Sequence, residues 1–203
     1  MEKIDQALLD VRKSYRLLYD YQRRILDLVK FIKGKYRLKY EGGYPKFSKS
    51  APRDGRGNLE NWAWDWLSMY FYEFHFYPQK NGDNDTHFSA FLLNDTGYFL
   101  SAKDERLHRK TLSGFADVEK SETKLILIAG HNYWDAWNGD WLDSEFTLSP
   151  SGVKVEGERI LLFKQYDLSD FSTEIGAVSK LKDFSQFCAK NGCTLQYFEK
   201  QID

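Results

Sequence analysis

The chain lacks any long apolar run. No stretch approaches the roughly 18 apolar residues that cross a bilayer, so no helical membrane span is expected. Cysteine is nearly absent: Cys188 and Cys193 are too few for a disulfide framework or a four-cysteine zinc site. The opening residues M-E-K-I-D-Q carry no apolar core or cleavage pattern, so no signal peptide is expected. Reduced thiols and a cytoplasmic location follow as expectations. Charge of one sign is not in excess either. The net charge is −1, so no overall field selects nucleic acid or membrane.

Several chemical signatures are missing as well. There is no glycine-rich phosphate loop, no HExxH and no G-x-S-x-G. The run Asn81–Asp85 has oxygen ligands but lacks the EF-hand spacing and its closing glutamate. No cofactor is expected from the motifs, and there is no internal repeat or low-complexity tract.

Aromatic residues are plentiful, at 17% of the chain, and they concentrate between Trp62 and Tyr77. The even positions Trp62, Trp64, Trp66, Tyr70, Tyr72, Phe74 and Phe76 are aromatic, interrupted only by Ser68. Period two marks a strand with the even face buried and the odd face partly covered. Such a strand is long for its kind, so Trp62–Leu67 can instead be a short helix or turn leading in. Pro78 is expected to end it. The row reads as core in preference to a stacking platform for bases or sugars.

Residues 3–33 read as one long helix. Ile4, Leu8, Val11, Tyr15, Leu18, Gln22, Ile25, Val29 and Ile32 follow a 4-3-4-3 spacing, a heptad seam with one polar member. Leu17, Tyr21 and Leu28 widen the stripe. A strict seam suits pairing with another helix, and a wide stripe suits packing on a sheet; the second reading is preferred. Gly34 is a natural stop.

Lys30–Arg56 holds nine Lys or Arg residues against Glu41 and Asp54. Lys35, Arg37 and Lys39 alternate with Tyr36, Leu38 and Tyr40, as in an edge strand with basic residues facing out. Glu41–Glu60 is rich in glycine and proline and reads as a loop. Basic residues among aromatics can hold a phosphate backbone, but a solvated loop is preferred.

Further strands are expected at Thr86–Leu93, Tyr98–Ala102, Lys124–Gly130, Glu158–Tyr166 and Thr194–Phe198, with short ones at Phe146–Leu148 and Lys154–Val155. Lys103–Arg109 is expected to be a loop or short helix. Pairing Phe76 with Phe88 aligns two apolar faces, which supports a hairpin across Pro78–Thr86. A second helix is expected over Ile175–Lys190, capped by Asp170 or Ser172 and ended by Asn191-Gly192. The expected class is α+β: a mainly antiparallel sheet of five to seven strands, with the long N-terminal helix and the C-terminal helix packed on it. A single domain over 1–203 is expected, made of a helix (1–34), a basic linker (35–60) and a sheet-centred core (61–203).

Three constellations are candidates for chemistry or binding. Glu73, His75 and His87 fall on one sheet face in this register, and two imidazoles with a carboxylate can ligate zinc; a metal-dependent hydrolase or nuclease would use them. Ordinary hydrogen-bonded histidines are preferred, so no metal is expected. His131 and Asp135, just past a strand end, can form a general base and its orienter, but no nucleophile is evident. Trp134, Trp137 and Trp141 share one face if their segment is helical; they can cap the core, the preferred reading for these rings, or, flanked by Asp135, stack on a sugar or anchor a protein partner. The favoured reading is a non-enzymatic interaction protein with an unidentified protein partner. Its contacts would be Trp134, Asp135, Trp137 and Trp141 with the basic patch Lys35, Arg37 and Lys39, and it could form a homodimer through the N-terminal helix. Nucleic-acid binding through residues 30–56 is a further alternative.

Overall fold

In a computed structural model of the chain, the structure describes residues 2–48, 63–80, 85–101, 112–132 and 149–199. The long helix α1 spans Glu2–Lys35. Among the described residues one antiparallel sheet contains β1 (Tyr40–Pro45), β2 (Phe71–Gln79), β3 (Thr86–Leu93), β4 (Lys124–His131), β5 (Ser151–Glu156) and β6 (Arg159–Asp167), in the order β1-β2-β3-β4-β6-β5. Helix α2 is the short Gly97–Ser101, and α3 is Glu174–Lys190. The architecture is α+β with a six-stranded antiparallel sheet, a long N-terminal helix and a C-terminal helix, as the alternation and helical spacing predict.

The hairpin register is the expected one. Phe76 faces Phe88, His75 faces Ser89 and Phe74 faces Ala90, with an irregularity between Phe76 and Gln79 that absorbs Pro78. The strand therefore runs one residue past the proline. Its start is later than the aromatic alternation alone suggests: Ala63–Trp66 and Ser68–Tyr70 are 3-10 turns, and Trp66 is exposed.

Both faces of the sheet are covered over β2, β3 and β4, so the odd face of β2 is not half-open; the edge strand β5 is mostly exposed. On the first face Phe74, Phe76, Phe88, Ala90, Leu92, Leu125, Leu127, Ala129 and Leu162 meet Ile25, Val29, Ile32 and Tyr36 of the α1 end and Ala177, Leu181, Phe184 and Cys188 of α3. On the second face Phe71, Phe91, Leu93, Ile126, Ile128, Leu161 and Phe163 meet Phe47 and Tyr98, with Trp64, Tyr70, Phe99 and Phe115 packed around them. These rings meet at tilted, edge and stacked angles, as aromatic quadrupoles favour. β4 is buried almost throughout because it lies inside the sheet between two covered faces.

Four expected elements differ. Residues 35–40 are the helix end and a turn, with Arg37 at φ 50°, and the edge strand begins only at Tyr40. It occupies part of the expected loop because Gly43 lets it sit against β2: a Cβ there would lie 2.2 Å from the Glu73 carbonyl oxygen. Tyr98–Ala102 is replaced by α2, whose Gly97 N–H donates to Asp95 Oδ1 (2.7 Å) and whose Ser101 hydroxyl donates back to the Gly97 carbonyl (2.9 Å). Thr194–Phe198 joins no ladder. It is tied down by Thr86 Oγ1 donating to the Thr194 carbonyl (2.7 Å), by the Gln79 side-chain amide on both the N–H (2.7 Å) and the carbonyl (3.1 Å) of Gln196, and by Phe198 N–H donating to the Lys35 carbonyl (2.8 Å). The α3 cap is Thr173, which accepts from Gly176 N–H (3.1 Å), in place of Asp170 or Ser172. At the other end Gly192 adopts φ 79°, a left-handed conformation that suits glycine after a helix. The expected strand Phe146–Leu148 and the charged stretch Lys103–Arg109 lie outside the described residues.

Candidate functional site

The seam of α1 divides at Gln22. On its C-terminal side Ile25 (4% exposed), Val29 and Ile32 (0%) are core. On its N-terminal side Ile4 (67%), Leu8 (51%), Val11, Tyr15 (70%) and Leu18 are exposed along the same face. Packing on the sheet, the preferred reading, thus holds for the C-terminal half of the helix, and the N-terminal half of the stripe is left exposed. Tyr21 marks the point of departure. Its hydroxyl donates to Asn94 Oδ1, and burial pushes its pKa up to about 12. There Leu18, Tyr21 and Gln22 meet Trp64, Leu67, Met69 and Tyr70 across a groove of about 350 Å³. Apolar side chains presented in register over four helical turns are what a partner helix packs into.

The second feature is a buried polar chain on the other sheet face. Lys46 Nζ lies 2.8 Å from Glu73 Oε1, and Glu73 Oε2 lies 2.9 Å from His75 Nε2. His75 Nδ1 lies 2.6 Å from Ser89 Oγ. An ionised carboxylate only accepts, so Nε2 carries a proton, and in the neutral imidazole Nδ1 accepts from the Ser89 hydroxyl. Tyr44 stacks on the imidazole at 5.4 Å and also hydrogen-bonds Glu73, while Phe91 closes the ring edge-on at 5.9 Å. Burial alone would raise the Glu73 pKa. The His75 hydrogen bond and the Lys46 ammonium outweigh it and hold the carboxyl below its ordinary value.

The order hydroxyl, imidazole, carboxylate is that of a nucleophile with its base and orienter. Glu73, His75 and Ser89 are each fully buried, however, and Lys46 holds the other carboxylate oxygen. What the chain does here is fasten β2 to β3 and to the segment following β1. His87 lies on the same face but is half-buried, and burial lowers its pKa. Among the described residues no group of three His, Cys, Asp or Glu side chains is placed to hold a metal. The sequence marks Glu73 and His75 but not Lys46, Tyr44 and Ser89. A carboxylate on a covered sheet face requires a cation, and that demand is the one signal that could have pointed to Lys46.

The other expected contacts are dispersed. Lys35 is buried, and its Nζ donates to the Glu199 carbonyl (2.9 Å). Arg37 stacks over Phe198 at 3.9 Å, and Lys39 lies over Tyr77 at 5.1 Å. With Lys35 and Lys46 both turned inward, the basic stretch 30–48 does not present a continuous row. His131 is buried at the end of β4. Its expected partner Asp135 lies outside the described residues, as do Trp134, Trp137 and Trp141. Cys188 and Cys193 are buried free thiols in mutual contact, where burial pushes the Cys188 thiol up.

The fold and this surface define a class: an α+β protein whose antiparallel sheet carries a helix that packs by one half and projects by the other. The chain belongs to the PM0109 family, which it matches over residues 1–196. It is similar to the uncharacterized protein PM0109 of Pasteurella multocida (strain Pm70), at 50% identity over 38 residues, a match that spans 19% of this chain and 19% of that protein. No solved structure matches the chain. No helix among the described residues is long and apolar enough to cross a membrane.

Proposed function

We propose that the protein is a non-enzymatic interaction protein that engages a protein partner through the exposed N-terminal half of α1. The observation that carries this reading is the division of one continuous apolar seam, buried from Ile25 onward and exposed from Ile4 to Leu18. Isolated apolar residues on a surface need no explanation, but five in heptad register on a projecting helix form an apolar stripe of the kind that marks interaction sites. The cytoplasm is the compartment this reading implies, where Cys188 and Cys193 persist as thiols.

The test is site-specific photocrosslinking in cells that make the protein. A crosslinking residue at Leu8 or Val11 is expected to give a discrete adduct, whereas one at Lys13, on the opposite side of the helix, gives none. Absence of adducts at Leu8 and Val11, or equal adducts from all three positions, would overturn the proposal.

A further inference from the structure

The seam carries a charge pattern that specifies its occupant. In the heptad frame Leu8 and Tyr15 take one core position and Ile4, Val11 and Leu18 the other, which puts Asp5 and Arg12 at flanking positions of successive heptads. Asp5 and Arg12 are both exposed. We propose that residues 4–15 of α1 pair antiparallel with the same residues of a second copy of this chain, Leu8 packing on the partner's Val11 and Asp5 pairing with the partner's Arg12. This rests on the interaction reading above and names its partner.

Steric constraints fix the direction. The stripe that is exposed before Gln22 is the same stripe that packs on the sheet after it. A helix laid parallel and in register on Leu8 and Tyr15 would run on into the space held by this chain's own sheet. An antiparallel helix instead brings the partner's Ile4 to Tyr15, short of Gln22, and sends the partner's sheet beyond the other end. The free segment from Ile4 to Leu18 is about 22 Å long at the helical rise; this register pairs its stretch from Ile4 to Tyr15 and leaves Leu18 at the groove beside Trp64 and Leu67.

Charge fixes the register. With the two-fold axis between Leu9 and Asp10, Asp5 meets the partner's Arg12 and Arg12 meets the partner's Asp5. Ala7 and Ser14, both small, face each other on the other flank. Sliding by one heptad in one direction opposes Asp5 to the partner's Asp5, and in the other direction opposes Arg12 to the partner's Arg12. Exposed ion pairs add little affinity, so they select the alignment while the apolar layers supply the attraction.

The experiment is sedimentation equilibrium of the full chain across concentration at low salt, for the unaltered protein, Asp5→Arg, Arg12→Asp and the double exchange. The expected result is a concentration-dependent dimer that weakens roughly tenfold in each single variant. It should recover in the double exchange and in an equimolar mixture of the two singles. Unchanged urea unfolding at low protein concentration checks that the variants fold. A dimer indifferent to the exchanges overturns the antiparallel register, and a monomer at every concentration overturns the second copy as occupant. In the latter case, crosslinks at Leu8 to a different protein would leave the interaction reading standing, and their absence would remove both.

Discussion

Lys46 and His75 hold opposite oxygens of one carboxylate: Glu73 Oε1 lies 2.8 Å from the lysine ammonium and Oε2 lies 2.9 Å from the imidazole. Removing that carboxylate charge breaks a largely buried ion pair with Lys46. Glu73→Gln is expected to destabilise the fold by about 3–5 kcal/mol. Urea denaturation at neutral pH reads this directly, and a loss under 1 kcal/mol would show that the pair contributes no more than a surface contact.

Ser89→Ala tests the next link. It removes the hydroxyl beside His75 Nδ1 and is expected to cost about 1–3 kcal/mol, less than Glu73→Gln because no ion pair is broken. The same denaturation experiment ranks the two. An equal or larger cost for Ser89→Ala would show that the chain is not anchored at the carboxylate.

Acid should weaken the fold through this site. Glu73 has a lower pKa folded than unfolded, so the unfolded chain takes up its proton first as the pH falls. Its contribution is complete above the ordinary glutamate value of about 4.3 and is lost as pH falls through the lower folded value. Asp183 acts in the same direction: burial would raise it, but Lys164 and Tyr166 hold it below its ordinary value. Stability measured from pH 6 to 3 should therefore drop, and Glu73→Gln should flatten the curve while leaving the Asp183 share.

The two halves of the seam should respond oppositely to truncation. Ile32→Ala opens a cavity in the first-face core and is expected to cost about 2–5 kcal/mol. Leu8→Ser, at low protein concentration where association does not contribute, should change stability by less than about 0.5 kcal/mol. Thermal or urea unfolding of both variants checks the contrast.

At Gly43 an added methyl would meet the Glu73 carbonyl oxygen at 2.2 Å and the Tyr72 ring at 2.8 Å. Gly43→Ala is expected to lose about 1–3 kcal/mol, because the obstructing atom is backbone and cannot rotate away. Amide exchange should show the loss first at β1, whose ladder to β2 must open.

Much of the fold was legible because it rests on periodicity. The alternation in Phe71–Tyr77 and Thr86–Leu93 set not only the strands but their register, since a one-residue slip would have put Phe88 and Leu92 on the wrong face. The helical spacing located α1 and α3 to within a few residues. Periodicity failed where a local hydrogen bond competes with it. Tyr98–Ala102 has strand-like residues, yet Asp95 supplies the bond that starts a helical turn instead. It failed again at Tyr40–Pro45, where glycine reads as loop but serves close strand approach.

The sequence by itself determined that α1 has an apolar seam, that Gln22 interrupts it, and that Glu73 and His75 share a strand face. Only the tertiary structure decided which half of the seam is used. The sheet is finite, so the core ends where α1 passes Tyr21, and heptads of the same chemistry are buried on one side of that edge and exposed on the other. It also decided that Lys46 and Ser89, distant in the chain, complete the chain of bonds through Glu73 and His75. Their positions follow from strand pairing and burial, which no single stretch of sequence contains.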